Sequence, residues 1–414
     1  MTTEPHRREP LPTRKGAADA ARPIRVLQLM TRPIIGGSQE TALLIADGLQ
    51  RDPRFKGRYT VEMASGPGFR DVGTIADEAG DRGIRMIEVP QLKHRLDPFN
   101  DFRALFALHR LIRDGSYDIV HTNSSKAGIL GRIAARWARV PYVVHTVHGW
   151  SFHEHMSDWS RRFYVTVEKA AAHYCNRLIV VSPKDQEKGL ANGIGRPGNY
   201  RLVRSGIELH CFGHPTVPAA ETRRALGIPD GRPVVGSVLR MSPQKAPLDL
   251  VAAFSHISRT CPDAWFVVVG DGPLRPQVER ALEEARIADR TVLTGERNDV
   301  PELMAAFDIF VLSSLWEGLP RVLPQAMATR LPIVCTRVDG CADVVSDGIN
   351  GYLVEPGAID AMADRVCRLL ADAGLRAQMG AEGLARVPEF DASRMVADMD
   401  GVYRELLASQ TGSN

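Results

Sequence analysis

Three stretches of this sequence combine residue types suited to an anionic ligand rich in hydroxyl groups. In Leu239-Arg-Met-Ser-Pro-Gln-Lys245, Arg240 and Lys245 flank a loop that follows an apolar run. Two cations at the carboxyl end of a strand suit a diphosphate whose negative charge grows as it departs. A solvated loop with two surface charges accounts for the same residues equally well. In Leu315-Trp-Glu317-Gly318-Leu319-Pro320-Arg-Val-Leu-Pro324-Gln325, an acidic residue stands in a turn after another apolar run, and a helix begins at the prolines. Proline is favoured at the first helical position. The helix start at Gly318, Leu319 and Pro320 would turn free backbone N–H groups toward a phosphate, and Glu317 would accept hydrogen bonds from sugar hydroxyls. Helix capping is the plainer use of that carboxylate. The third stretch is Gly36-Gly37, behind the first apolar run. Glycines at a strand-to-helix turn let backbone N–H groups approach an anion, yet such a turn is more often only a tight connection. No Gly-Lys-Ser/Thr follows, so this is not a P-loop.

Other patterns point less far. His145, His148, His153 and His155 cluster behind a strand that neighbours His121, but their spacing is not that of a helical zinc motif, and metal binding is the minority reading. Gly270-Asp271-Gly272 follows a strand, but the third glycine of a dinucleotide fingerprint is Arg275 and the strand is not the first of its domain. The six cysteines are scattered without a C-x-x-C pair, which reads as reduced structural thiols of a cytosolic protein.

These residues need a scaffold, and the bulk properties bound it. A chain of 414 residues with 44% apolar content fits two ordinary soluble domains. Net charge is only +3, but residues 1–200 carry 30 Lys and Arg against 21 Asp and Glu, whereas residues 201–414 carry 22 against 28. A basic first half suggests an anionic partner: a phosphate-bearing substrate, lipid headgroups or nucleic acid. No run reaches the roughly 18 apolar residues of a membrane span. Residues 1–23 lack an apolar signal segment and read as a disordered tail.

Strand, turn and helix alternate along the rest. Strands are expected at 24–30, 60–64, 84–89, 118–122, 142–147 and 177–181, and again at 234–239, 265–269, 291–293, 309–312, 333–335 and 352–354. Ser38 is expected to cap the first helix. Such alternation implies α/β folding with two doubly wound parallel sheets, and ligands then sit at the carboxyl ends of the strands. Residues 24–206 form the first domain. Pro215, Pro218 and Pro229 mark 207–232 as the connection, 233–388 form the second domain, and 389–414 hold a last amphipathic helix and tail. The helices over 102–113 and 131–139 carry Arg103, Arg110, Arg113, Arg132, Arg136 and Arg139 beside Phe106 and Trp137. A basic amphipathic face can rest on anionic lipid, though such charges are more often simply solvated.

Taken together, the motifs resemble glycosyltransferase family 4. The glutamate turn is similar to the family's E-x7-E region, whose two glutamates stand eight positions apart; Glu317 fills the first place and Gln325 the second. Gly36-Gly37 resembles its N-terminal glycine pair, and Arg240 with Lys245 its phosphate-binding pair at the same spacing of five. Val269-Gly-Asp-Gly-Pro-Leu274, Thr294-Gly-Glu-Arg297, Phe307-Asp308 and Asp347-Gly-Ile-Asn-Gly-Tyr352 match in order, so the resemblance covers nearly the whole chain after the tail. It implies the GT-B architecture: two Rossmann-like domains facing a central cleft, with the C-terminal helix returning to the N-terminal domain. It also implies a retaining, metal-independent transferase without cofactor. In that reading Glu317, His148, Arg240 and Lys245 are catalytic. Gly36, Gly37, Gly318, Leu319, Pro320 and Gln325 hold the donor, and Gly295 with Arg297 the base. The donor is a nucleotide diphosphate sugar, UDP first and GDP next. The acceptor is a glycan or lipid-linked sugar for cell-surface polysaccharide, reached from the cytoplasm at the inner membrane face, with no nucleic acid involved. Departures from the pattern are Gln325 for glutamate, Leu239 and Ala246 for glycine, and Arg330 for a helix-end glycine. If residue 330 is left-handed, arginine costs about 1 kcal/mol there. An epimerase or hydrolase on the same fold, and a non-catalytic binding subunit, are the rival readings.

Overall fold

The computed structural model describes residues 22–34, 36–68, 74–95, 97–152 and 156–409, apart from the side chain of Asp339. The expected tail, His153 and His155 lie outside or almost wholly outside these residues. The first domain is built on β1 (Ile24–Leu29), β2 (Tyr59–Ser65), β3 (Arg85–Glu88), β4 (Ile119–Asn123), β5 (Tyr142–Val147), β6 (Arg177–Val180) and β7 (Tyr200–Leu202), all parallel in the order β3-β2-β1-β4-β5-β6-β7. The second is built on β8 (Val234–Val238), β9 (Trp265–Val269), β10 (Thr291–Gly295), β11 (Ile309–Leu312), β12 (Ile333–Thr336) and β13 (Gly351–Val354), in the order β10-β9-β8-β11-β12-β13. Central strands such as β5 and β11 are buried along their whole length, which is why they read as continuous apolar runs rather than alternating ones.

Strand order reverses beside β1, where β2 and β4 leave to opposite sides, and again beside β8, flanked by β9 and β11. A crevice opens at the carboxyl ends of such strands. The loop after β1 holds Gly36 and Gly37, that after β8 holds Arg240 and Lys245, and that after β11 holds Glu317. Topology alone therefore delivers the three chemical stretches to one place.

The chain crosses between domains twice, side by side. The Ile207 N–H donates to the Phe390 carbonyl at 2.8 Å and the Ala392 N–H to the Ile207 carbonyl at 3.0 Å. The helix Ala392–Ala408 then packs on the helix Gly37–Arg51, sending Met395, Met399, Tyr403 and Leu406 into the same core as Val26 and Ile45. Gly48 makes that contact possible, since a Cβ there would lie 2.5 Å from a Val396 methyl.

Several expectations need correction. Residues 207–232, read as the connection, carry structure of their own: helices Leu209–Gly213 and Ala219–Ala225 form inside it, and Phe212 and Ile228 join the second core. Of the three prolines only Pro218 stands at a helix start, at the cap of Ala219–Ala225, while Glu208 precedes the other helix. Ser38 does not cap the first helix; Gly36 stands at the cap and the Ser38 hydroxyl donates to Gln39 Oε1. Strand β7 has no counterpart in the expected list, because three residues at a sheet edge offer too little periodicity to read. Arg132 does not belong to the basic surface. It is fully buried, and its guanidinium pairs with Glu168 at 2.7 Å.

Residue 330 is left-handed, at φ 59°, and Ala246 is too, at φ 44°. Both stand where the resemblance calls for glycine. Ala246→Gly and Arg330→Gly are each expected to stabilise the fold by about 1 kcal/mol, raising the melting temperature by about 2 °C. Unchanged or lower midpoints in thermal unfolding would show that neither backbone is strained.

Candidate active site

The loops after β8 and β11 are laced together before any ligand arrives. The Leu315 N–H donates to the Gln244 carbonyl, and Gln244 Nε2 donates to the Trp316 carbonyl, both at 2.8 Å. The Ser313 hydroxyl donates to the Lys245 carbonyl at 2.8 Å. These bonds bring the Lys245 ammonium onto Glu317 Oε1, which also accepts from the Ser314 hydroxyl at 2.6 Å. Glu317 is buried, its side chain 7% exposed. A carboxylate so far from water requires a paired cation. Both contacts use Oε1, so Oε2 is available to a ligand hydroxyl.

This pair lies in the wall of a cavity of about 330 Å³ between the domains, with Gly37, His148, Gly318, Leu319, Pro320 and Gln325 also in the wall. Eight of the sequence-derived site residues thus meet in one space. The helix Val322–Ala328 carries Gln325 on its first turns, and Pro324 is its third residue, where no ladder donor is required. Proline at 324 therefore does not turn residue 325 away.

The domains touch backbone to backbone here. A Cβ on Gly318 would lie 2.7 Å from the His148 carbonyl oxygen, and Gly149 opposite adopts φ 106°. Gly37 is less constrained: a Cβ there would sit 3.3 Å from Cδ of the flexible Arg321 side chain, which need move by only a few tenths of an ångström. Arg321, which sequence reasoning passed over, reaches across the cleft to pair with Glu40. Only the fold reveals it, because no motif marks the residue after Pro320 as facing the other domain.

His148 is held by a buried polar chain. Its Nε2 lies 2.9 Å from Asn123 Oδ1, and Asn123 Nδ2 donates to Gln28 Oε1 at 2.9 Å. Gln28 Nε2 in turn contacts His121 Nδ1 and the Tyr403 hydroxyl at 3.3 and 3.4 Å. His121 Nε2 completes the chain on Thr146 Oγ1 at 2.6 Å. With the Asn123 amide oxygen facing it, His148 must carry its proton on Nε2, which leaves Nδ1 as an acceptor. Burial, and secondarily the Arg321 charge, push its pKa down to about 3. His121 is likewise pushed down to about 3 by burial first and His148 second. His121 and His145 are thereby accounted for as core side chains, His145 bonding Thr122 Oγ1 at 2.9 Å.

Other sequence candidates stand apart. Gly36 caps its helix, and Arg240 is exposed, near Arg32 of the first domain. Gly270 and Gly272, at φ 120° and 158°, brace the Arg240 loop, since a Cβ on either would strike the carbonyl of Leu239 or Met241. Gly295 accepts from the Gly270 N–H at 2.8 Å, and Arg297 pairs with Asp299 at 2.6 Å. None of Gly36, Arg240, Gly295 and Arg297 is in the wall of the Glu317 cavity. Among the described residues, no three His, Cys, Asp or Glu side chains are grouped to hold a metal ion.

Two facing Rossmann-like domains with a paired lysine and glutamate in the cleft define a class, and comparison names it. Residues 36–206 match the Glycosyl transferase 4-like domain and residues 219–386 match Glycosyl transferases group 1. The chain is 35% identical over 353 residues to a UDP-Gal:alpha-D-GlcNAc-diphosphoundecaprenol alpha-1,3-galactosyltransferase of Escherichia coli, covering 84% of this chain and 88% of that protein. It is 27% identical to the putative glycosyltransferase EpsD of Bacillus subtilis, over 78% of this chain and 85% of the relative. In fold it resembles Anabaena HepE, crystallised with UDP and glucose, with a TM-score of 0.79 and 22% identity over 92% of this chain and 100% of HepE. The chain belongs to the group 1, family 4-like glycosyltransferases.

In a histidine-selective NMR titration, His148 is expected to stay neutral and Nε2-protonated from about pH 8 to about pH 5, well below the ordinary midpoint near 6.5. A midpoint close to 6.5 would contradict the buried chain.

Proposed function

We propose that this glycosyltransferase is a retaining, metal-independent enzyme that takes a sugar from a nucleotide diphosphate, UDP before GDP. It places that sugar on a glycan or lipid-linked acceptor for cell-surface polysaccharide. The observation that carries the reading is the buried Lys245–Glu317 pair in the wall of a cleft that also contains His148 and Gln325. The E. coli relative, whose name gives UDP-galactose as donor, supports the choice of base.

In this reading the donor diphosphate lies against Lys245 and Arg321, with Arg240 at the outer end. As the C1–oxygen bond breaks, negative charge grows on the diphosphate, and the cations meet it in a site already largely dry. They supply the charge that a divalent ion would otherwise bring. Glu317 Oε2 and His148 Nδ1 accept hydrogen bonds from donor sugar hydroxyls and orient the ring. The acceptor hydroxyl attacks C1 from the face the phosphate leaves, and its proton passes to the departing phosphate oxygen. Gln325 reaches the ribose through its amide oxygen without a carboxylate's charge. Gly295 and Arg297 would meet the base at the outer edge of the second domain.

The acceptor side faces a surface suited to lipid. Phe99, Phe102, Phe106 and Trp137 are exposed on the helices Pro98–Gly115 and Ser125–Trp137, beside the exposed Arg103, Arg110 and Arg136. No helix among the described residues is long and apolar enough to cross a membrane. Peripheral, salt-sensitive contact with the inner face of the cell membrane is the reading this surface supports.

Lys245→Ala should lower turnover about 100-fold or more, while an equivalent loss is not expected with EDTA. Gln325→Glu should lower the donor Michaelis constant about fivefold with turnover nearly unchanged, because ribose contacts do not alter during transfer. Steady-state kinetics with UDP- and GDP-sugars check both. Wild-type rates in Lys245→Ala, or donor breakdown that is no faster with acceptor present, would remove the transferase assignment.

A further inference from the structure

Both cations in the wall of the donor cleft are already paired in the free protein. Lys245 is held by Glu317 and Arg321 by Glu40, and these four are the charged side chains of that wall. With His148 neutral, their charges cancel. A nucleoside diphosphate brings several negative charges into this space, where an unmatched charge is costly. At least one of the two acids must therefore give up its cation.

The two acids are not equally able to do so. Glu317 is 7% exposed and also accepts from the Ser314 hydroxyl at 2.6 Å, so turning it out would break a buried network. Glu40 is 32% exposed and stands on the first turn of the helix Gly37–Arg51. Its side chain has no hydrogen bond or ion pair among the described residues other than the one to Arg321. A like charge lies close by, since burial first and Glu40 second hold the Glu78 carboxyl above its ordinary range. Arg321 is the converse: its side chain is only 9% exposed, and its charge is felt at His148. Yet it meets Glu40 through Nη1 alone, and its Nε is buried without a partner. A guanidinium carries five N–H donors and grips phosphate as a fork through two of them. In the free protein that fork is half used.

We propose that Glu40 is an internal stand-in for the donor phosphate. In the free enzyme it holds Arg321. As the diphosphate enters, Arg321 keeps its place and exchanges the carboxylate for a phosphate, gripped by Nη1 and Nε, while Glu40 turns to water. When the nucleoside diphosphate leaves after transfer, Glu40 recaptures Arg321 and competes with its return. This rests on the donor reading and specifies how that site is filled and emptied.

Calorimetry with UDP on the full chain tests it, each variant first shown to be folded by its melting curve. Glu40→Gln removes the competitor and should tighten UDP about fivefold, whereas Arg321→Gln should weaken it about tenfold. In the Arg321→Gln background, Glu40→Gln should change UDP affinity by less than about twofold. A glutamate that served only to position Arg321 would give the opposite sign, so weaker or unchanged UDP binding in Glu40→Gln would overturn the exchange. The wild type supplies a test that needs no folded Glu40 variant. In arginine-selective NMR the Arg321 Nε–H signal, identified by its loss in Arg321→Gln, should move on adding UDP and show coupling to phosphorus. A signal that bound UDP leaves in place would equally overturn it. Absence of UDP binding in every variant would remove the donor reading and this inference with it. UDP binding that Glu40→Gln does not strengthen would remove this inference alone.

Discussion

The buried ion pair between Lys245 and Glu317 is the interaction on which the rest of the site depends. It ties the loop after β8 to the loop after β11, the two strands at which the second sheet reverses its order. Removing one partner of such a pair costs about 3–5 kcal/mol, because the other charge is left buried alone. The surrounding structure is arranged to keep both. Ser314 shares the carboxylate, and Ser313 and Gln244 fix the loops. A donor phosphate entering the cleft would meet a lysine already positioned and only 18% exposed.

The second constraint is how closely the domains approach. Gly318 meets the backbone of His148 with no room for a side chain, and Arg321 passes over Gly37 to Glu40. The returning helix Ala392–Ala408 holds the first domain from behind, and its Tyr403 contributes to the polar chain that ends at His148. The cleft is thereby linked to the last helix of the chain through the buried side chains of Asn123, Gln28 and Tyr403.

Much of this was legible before the fold was known. Buried parallel strands announce themselves as apolar runs, so β5, β9 and β11 were placed to the residue. The motif residues Glu317, Lys245 and Gln325 could be assembled because a topological switch point brings strand ends together whatever their distance in sequence. What could not be read were contacts made by one domain on the other. Arg321 has no motif, Arg32 is one arginine among many, and Gly318 looks like a phosphate glycine although the His148 backbone also leaves no room for a side chain there. Arg132 shows the converse error. A helical arginine beside apolar neighbours reads as surface, and only Glu168 arriving from another helix shows it to be core.

The central claim is that Lys245 and Glu317 act as one unit on the donor, and a double-mutant cycle measures that most directly. Turnover of the donor would be compared in wild type, Lys245→Met, Glu317→Gln and the double variant, each first shown to be folded by its melting curve. If the pair is one unit, each single change removes most of the rate and the double variant is close to the slower single, a coupling above roughly 1 kcal/mol. Losses that simply add would contradict it, for they would mean that the two residues touch in the free enzyme but serve the reaction separately.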